Sequence, residues 1–363
     1  MMDSLKNIQN KDNLALVLHQ KDVLKLEQWP LPQQLAPNEC LLQAHSCGIC
    51  GTDVTLWKKG FVADFVVKKP FVLGHEPSAV VIGVGSEVTN LKVGDRVAVE
   101  PALPCLKCQF CRSGRYNLCP VSNLHSHGLP PADGCLRRYY THRSDFCYKL
   151  PENVSCEEGA LVEALAVVVH ACRRVRVGIG QNVLVCGAGP VGIMCFLVAK
   201  AFGASKVYLT DINESRLKMA KQLGADGVFV INPKTFNDKE MAKTIRSAIG
   251  ANSLGVDIAI ECTGVESSVC LAIHVTKSGG KVGIVGLGAD CKIPLSSAAM
   301  REVDLIGVCR IKDDYELAIQ LITSGKLNVK PLITHTFNIK DSVKAFDLLK
   351  SGTEGVVKVL IQH

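Results

Sequence analysis

From about residue 180 the chain repeats one rhythm, an apolar strand-like run followed by glycine and an amphipathic stretch: "NVLVCG", "PVGIMCFLVAKAFG", "KVYLTD", "NESRLKMAKQLG", "GVFVI", "NDKEMAKTIRSAIG", "GVDIAIEC", "VESSVCLAIHVTKSGG" and "KVGIVGL". Parallel strands need long crossovers, and a helix is the usual one, so this alternation predicts an α/β domain with a parallel sheet covered by helices on both faces. The first crossover opens on "VLVCGAGPVG", which places Gly187, Gly189 and Gly192 in a GxGxxG between strand and helix. Such glycines permit a tight turn and a close approach to a pyrophosphate, while the helix N-terminus offers free N–H groups to the anion.

Alone this motif is weak, and a glycine turn in an unrelated α/β domain would read the same. Its context adds Asp211, at the end of the next strand, where a carboxylate can bond both ribose hydroxyls of a dinucleotide and repel a 2′-phosphate. That favours NAD over NADP. Arg216, on the first turns of the following helix, could cover the adenosine, catch a 2′-phosphate or lie on the surface, so the cofactor preference stays open at this level.

Up to about residue 160 the text is different, with short β-like runs ("NLALVLH", "SAVVIGVG", "DRVAVEP") broken by Gly and Pro, and it predicts a mostly β domain. After about 310 the strict alternation is lost, and this tail is expected to rejoin the first domain. The 363 residues suit two domains, with boundaries expected at 1–162, 163–310 and 311–363. The start "MMDSLKNIQNKDN" is polar and no long apolar run follows, so a soluble, cytoplasmic protein is expected, with no membrane partner. Many of the 17 cysteines, such as Cys186, Cys195 and Cys262, sit inside apolar runs, which argues against a disulfide framework. The formal charge is +7, and its densest cluster, Arg173, Arg174 and Arg176, lacks interleaved aromatics, so no nucleic-acid partner is expected.

Two groups of side chains suggest metal. Cys105, Cys108, Cys111 and Cys119 have the spacing CxxCxxCx7C, and four thiolates can fill a tetrahedral Zn²⁺ and leave no place for substrate. This set reads as structural. A mixed set is drawn from separate segments: Cys50, Thr52 and Asp53 in "CGICGTD", His75 and Glu76 in "VLGHEPS", and Glu163 in "GALVEALAVVVHA". Singly, Cys50 could be a packed thiol, His75 a satisfied loop histidine and Glu163 a helix-start carboxylate. Together with a dinucleotide fold they suggest a zinc with an open fourth position, a Lewis acid for alcohol chemistry.

The ordered strings "GICGTD", "GHE", the cysteine lobe, "GAGPVG", "VGLG" and "REVDLIGVCR", running over nearly the whole chain, resemble the zinc-dependent medium-chain dehydrogenases. Within them "FVVKKPFVLGHE", "GRYNLCP", "DFCYKLPENVSCEEGAL" and "LNVKPLITH" are most similar to the sorbitol (polyol) dehydrogenase branch. The resemblance implies a GroES-like catalytic domain, a Rossmann NAD domain, one catalytic and one structural zinc per chain, and a homotetramer. It implies Cys50, His75 and Glu76 as catalytic zinc ligands, and Glu163 as holder of the water there and orienter of substrate. For the cofactor it implies Val191, Asp211, Arg216, Val285, Gly286, Leu287, Val308, Cys309 and Arg310, with Arg310 also meeting the substrate hydroxyls.

The chain also departs from that branch. Leu56 and Ile311 stand where the branch has substrate-touching tyrosines, Ala164 follows Glu163 in place of proline, and a longer segment carries Leu124, His125 and His127. The expected reaction is reversible hydride transfer between a secondary alcohol of a sorbitol- or xylitol-like polyol and NAD, with Thr52, Glu163 and water as proton relay candidates. A substrate hydroxyl left unpartnered costs on the order of 1 to 3 kcal/mol, so a less hydroxylated alcohol or another carbonyl compound is the alternative, and a non-catalytic cofactor-binding protein a third.

Overall fold

The computed structural model describes residues 5–250 and 253–363. The chain divides into two compact units, Met1–Ala166 with Ile311–His363, and Val167–Arg310.

The second unit carries a six-stranded sheet in the order Gly227–Val230, Lys206–Asp211, Asn182–Cys186, Val256–Glu261, Thr276–Ile284, Asp304–Gly307, every pairing parallel. Its central strands are buried almost continuously, as apolar runs covered on both faces must be. The strand order reverses between Asn182–Cys186 and Val256–Glu261, and the crevice beyond the carboxyl ends of such strands is where doubly wound sheets bind ligands. Gly187 and Cys262 follow these two strands, joined by a hydrogen bond of 2.9 Å from the Cys262 N–H to the Cys186 carbonyl. One expectation changes. The run "VESSVCLAIHVTKSGG" is helical only over Glu266–Val275, because Thr276 is buried and pairs with Val256 as a strand residue. The ladder then breaks register and resumes at Ile258 and Lys281, so the glycine pair lies in the excursion between.

The first unit is built on a seven-stranded sheet in which Glu39–Gly48 pairs with Glu76–Val84, Tyr139–Arg143 and Lys358–Gln362. The register decides where the chemistry falls. Gly48 lies opposite Glu76 on one side and Leu360 on the other, so the ends of three strands distant in sequence meet beside Cys50. The helix Gly51–Lys59 starts there and packs Leu56 and Trp57 into the apolar core. Among the described residues, no helix is long and apolar enough to cross a membrane.

Candidate active site

Cys50 precedes the first turn of the helix Gly51–Lys59, and its backbone N–H donates to Asp53 at 2.9 Å. The same buried carboxylate accepts the Gly74 N–H at 3.2 Å and faces His75 Nδ1 at 3.4 Å, so one side chain ties together the two loops that carry Cys50 and His75. The Cys50 thiol, the His75 imidazole and the Glu76 carboxylate place one donor atom each within 4.8 Å of one another. His75 Nδ1 is buried without a well-formed hydrogen bond, its Asp53 neighbour standing 3.4 Å away, which is costly unless something else claims it. A thiolate, an imidazole and a carboxylate at this spacing fit zinc, and three ligands leave one coordination position for a substrate oxygen.

The charges around this set are concentrated. Burial disfavours an imidazolium at His75, but Asp53 and Cys50 beside it hold its pKa well above the ordinary value, as expected for a site of stacked negative groups. Lys358, fully buried, forms an ion pair with Glu76 and donates to the Ile49 carbonyl at 3.3 Å. Its pKa is raised although burial opposes the charge, because Glu76 and Cys50 face it. Gly48 makes room for this pair, since a Cβ there would stand 2.0 Å from Glu76 Oε2. Glu163, in the first turn of the helix Val162–Val175, has its pKa pushed up to about 7 by burial, with His75 opposing and Glu76 reinforcing the shift. A carboxyl that titrates there suits proton exchange near neutral pH.

Thr52 is half-buried in the first turn of its helix. Leu56 has no exposed surface and packs in the core, and Ile311 is buried as well. Leu124 and His125 are exposed, whereas His127 packs its ring 4.9 Å from that of His142. Lys358 and the bridging role of Asp53 escaped sequence reasoning. For Lys358 the available signal was a lone lysine inside the apolar run "GVVKVLI".

The four cysteines form a separate set. Sγ separations are 3.5 Å for Cys108 and Cys111, 3.6 Å for Cys105 and Cys119, and 4.0 Å for Cys105 and Cys111. Zinc–sulfur bonds of about 2.3 Å in a tetrahedron put sulfurs about 3.8 Å apart, so the lobe is already shaped for the ion. Backbone N–H groups aim at the sulfurs: Cys108 N reaches Cys105 Sγ at 3.3 Å, and Cys105 N reaches Cys119 Sγ at 3.4 Å. Burial works against a thiolate at Cys119, yet such donors bring its pKa down to about 6, while burial and the neighbouring sulfurs push Cys111 up to about 12.

In the second unit the glycine turn has the form a pyrophosphate needs. Gly187 has φ of +100°, and a Cβ on Gly192 would stand 1.9 Å from the Gly187 carbonyl oxygen. At Gly189 the nearest atom to such a Cβ is Arg216 Nη1 at 4.0 Å, which leaves the backbone approachable and puts a guanidinium beside it. Asp211 accepts from Ala188 N at 2.6 Å and Asn213 N at 2.8 Å, so it holds the turn as well as facing it. Val191 and Val308 are half-buried, Cys309 is exposed, and Arg310 has a left-handed φ of +56°. In the segment Val285, Gly286 and Leu287, the last is 72% exposed. The buried Glu261, unremarked in the sequence, accepts from Thr263 N, Gly264 N and Ser268 Oγ at 2.7 to 3.0 Å and fixes the loop at the switch point. A carboxylate closing the apolar strand "VDIAIE" was its signal.

A doubly wound dinucleotide unit joined to a β unit with an open, mixed donor set defines a metal-dependent nicotinamide dehydrogenase. The alcohol dehydrogenase GroES-like domain matches residues 36–152, and the zinc-binding dehydrogenase domain matches residues 190–324. Sorbitol dehydrogenase from Bos taurus is 48% identical over 352 residues, covering 97% of this chain and 96% of the relative. Among solved structures, an oxidoreductase/dehydrogenase of unknown specificity from Escherichia coli superposes with a TM-score of 0.89 at 32% identity over 97% of this chain and 99% of its own. The 2R,3R-butanediol dehydrogenase of Bacillus subtilis superposes at 0.84 with 27% identity, over 97% and 100%. The chain belongs to the zinc-dependent medium-chain dehydrogenases, in their sorbitol dehydrogenase branch.

Proposed function

We propose that this protein is an NAD-dependent zinc dehydrogenase that interconverts a polyol and its ketose. The observation that carries the reading is the set of three unlike donors within 4.8 Å, with a fourth position open, in a chain that also holds a complete dinucleotide turn. In this reaction a secondary carbinol carbon loses a hydride and its oxygen loses a proton, giving a ketone, NADH and H⁺. When bound, zinc supplies Lewis acidity toward the reacting oxygen and nicotinamide supplies the hydride acceptor. Cys50, His75 and Glu76 would hold the metal, with Asp53 orienting His75 and Lys358 offsetting the charge of Glu76. Glu163 receives the hydroxyl proton, or returns it in the reverse direction, and Thr52 is the second relay group. Gly187, Gly189 and Gly192 would seat the pyrophosphate, Asp211 the ribose, and Arg310 the substrate hydroxyls.

A second reading follows from Leu56 and Ile311. Both positions are aliphatic and closed, so the pocket gains no hydroxyl from either, and a less hydroxylated secondary alcohol is the competing substrate. The same account makes the protein a cytoplasmic homo-oligomer, a tetramer by resemblance. Asp304–Gly307 is an edge strand, and Leu295 and Met300 before it are 63% and 87% exposed, which supports association through this unit. NADH production across sugar alcohols, diols and simple secondary alcohols tests the reading. Turnover highest with sorbitol or xylitol, abolished by His75→Ala, is expected. Preference for a diol favours the second reading, and a flat response contradicts both.

A further inference from the structure

The end of the strand Arg96–Val99 is a junction of tyrosine hydroxyls around a buried carboxyl. Glu100, fully buried, accepts from Tyr148 at 3.0 Å and from Tyr116 at 3.2 Å on the same oxygen, and its own carbonyl faces His142 Nε2 at 2.9 Å. Tyr116 stands between Cys111 and Cys119 in the cysteine lobe, and its hydroxyl also accepts the backbone N–H of Asp313 at 3.0 Å. One phenol therefore connects three things: the metal lobe, a buried carboxyl and the chain three residues beyond Arg310. Asp313 is itself left-handed, with φ of +51°, a conformation that a non-glycine residue keeps only when its surroundings enforce it. The next residues are anchored to the same junction, as Tyr315 stacks on Tyr148 with ring centroids 4.7 Å apart and donates to the Val99 carbonyl at 2.9 Å.

We propose that Tyr116, braced by Glu100, is a positioning residue that passes the order of the four-cysteine lobe to the segment following Arg310, and so sets the substrate affinity of the dehydrogenase. The proposal rests on the reading that Arg310 meets the substrate. It gives the lobe a role in specificity as well as in stability. The lobe holds Tyr116 in place, Tyr116 holds the Asp313 amide, and the turn that carries the Arg310 side chain is bounded by two left-handed residues, Arg310 and Asp313. Misplacement of such a group by a fraction of an ångström weakens binding of the part of the substrate it touches, with little effect on the hydride step once the substrate is bound.

The test uses the zinc-loaded, full-length protein and the variants Tyr116→Phe, Tyr148→Phe and Arg310→Ala. Tyr148→Phe removes a hydroxyl from the same carboxyl but leaves the Asp313 contact. In Tyr116→Phe, amide hydrogen exchange at residues 311–315 should speed up about tenfold. KM for the preferred alcohol should rise about tenfold, with kcat within about twofold and the zinc content unchanged. Tyr148→Phe should move neither. Unchanged exchange in Tyr116→Phe overturns the proposal, as does faster exchange with unchanged KM, or an equal KM rise in Tyr148→Phe. If Arg310→Ala itself leaves KM unchanged, the underlying reading of Arg310 fails and the proposal falls with it; a large effect there beside none in Tyr116→Phe rejects the proposal alone.

Discussion

The two donor sets of the first unit are built on opposite principles. The four-cysteine set comes from fifteen consecutive residues, uses one kind of ligand, and lets local backbone N–H groups direct the sulfurs. The mixed set draws Cys50, His75 and Glu76 from two strand ends and is surrounded by charges from elsewhere: Asp53 beneath His75, Lys358 against Glu76, Glu163 nearby. A closed, uniform shell suits an ion that only holds a loop. An open shell among mutually perturbing charges suits an ion that must change partners during a reaction.

The largest effects that would break this contrast come from the ligands. His75→Ala should lower turnover by about three orders of magnitude or more and remove one zinc per chain, with the lobe zinc retained. Parallel metal analysis and NADH assays check it. Cys111→Ser should do the converse, losing the lobe zinc and lowering the melting temperature while measurable turnover remains. Loss of both ions in either variant would show that the sets are not independent.

Lys358→Met sharpens the comparison further. It strands the buried Glu76 charge, a loss of about 3 to 5 kcal/mol in the metal-free protein, and should cost much less once zinc compensates that carboxylate. Denaturant titrations with and without bound zinc measure the difference. A further effect lies outside both sets. Burial pushes the pKa of Glu100 up to about 8, although Tyr116 and Tyr148 donate to it and pull the other way. The folded chain therefore keeps a proton that the unfolded chain releases above pH 4.5, so this contribution is complete below that pH and declines until about 8. The decline should be on the order of 5 kcal/mol, and Glu100→Gln should flatten it.

The same contrast explains what could be read in the amino-acid sequence. The cysteine lobe and the GxGxxG turn are local, so their spacing alone conveys the geometry, and Asp211 is found by counting to the end of the next strand. Lys358 is legible only once the last strand is known to lie beside Glu39–Gly48, a pairing across more than three hundred residues that no local pattern encodes. Asp53 was visible in "CGTD", but its bond to Gly74 N depends on the same tertiary register. Leu56 stood out as an aliphatic replacement, and only packing shows it sealed in the core. The helix Glu266–Val275 ends before "TKSGG", where Thr276 pairs with Val256 as a strand residue, a tertiary pairing that no local pattern shows.

Zinc-edge X-ray absorption on the purified protein, read together with metal stoichiometry, tests the central claim most directly. The account predicts two zinc ions per chain, one with four sulfurs and one with a single sulfur, lighter N or O donors and one non-protein oxygen that is displaced by an alcohol inhibitor. A single ion per chain, or a second ion whose shell is filled by side chains and indifferent to alcohol, would contradict it.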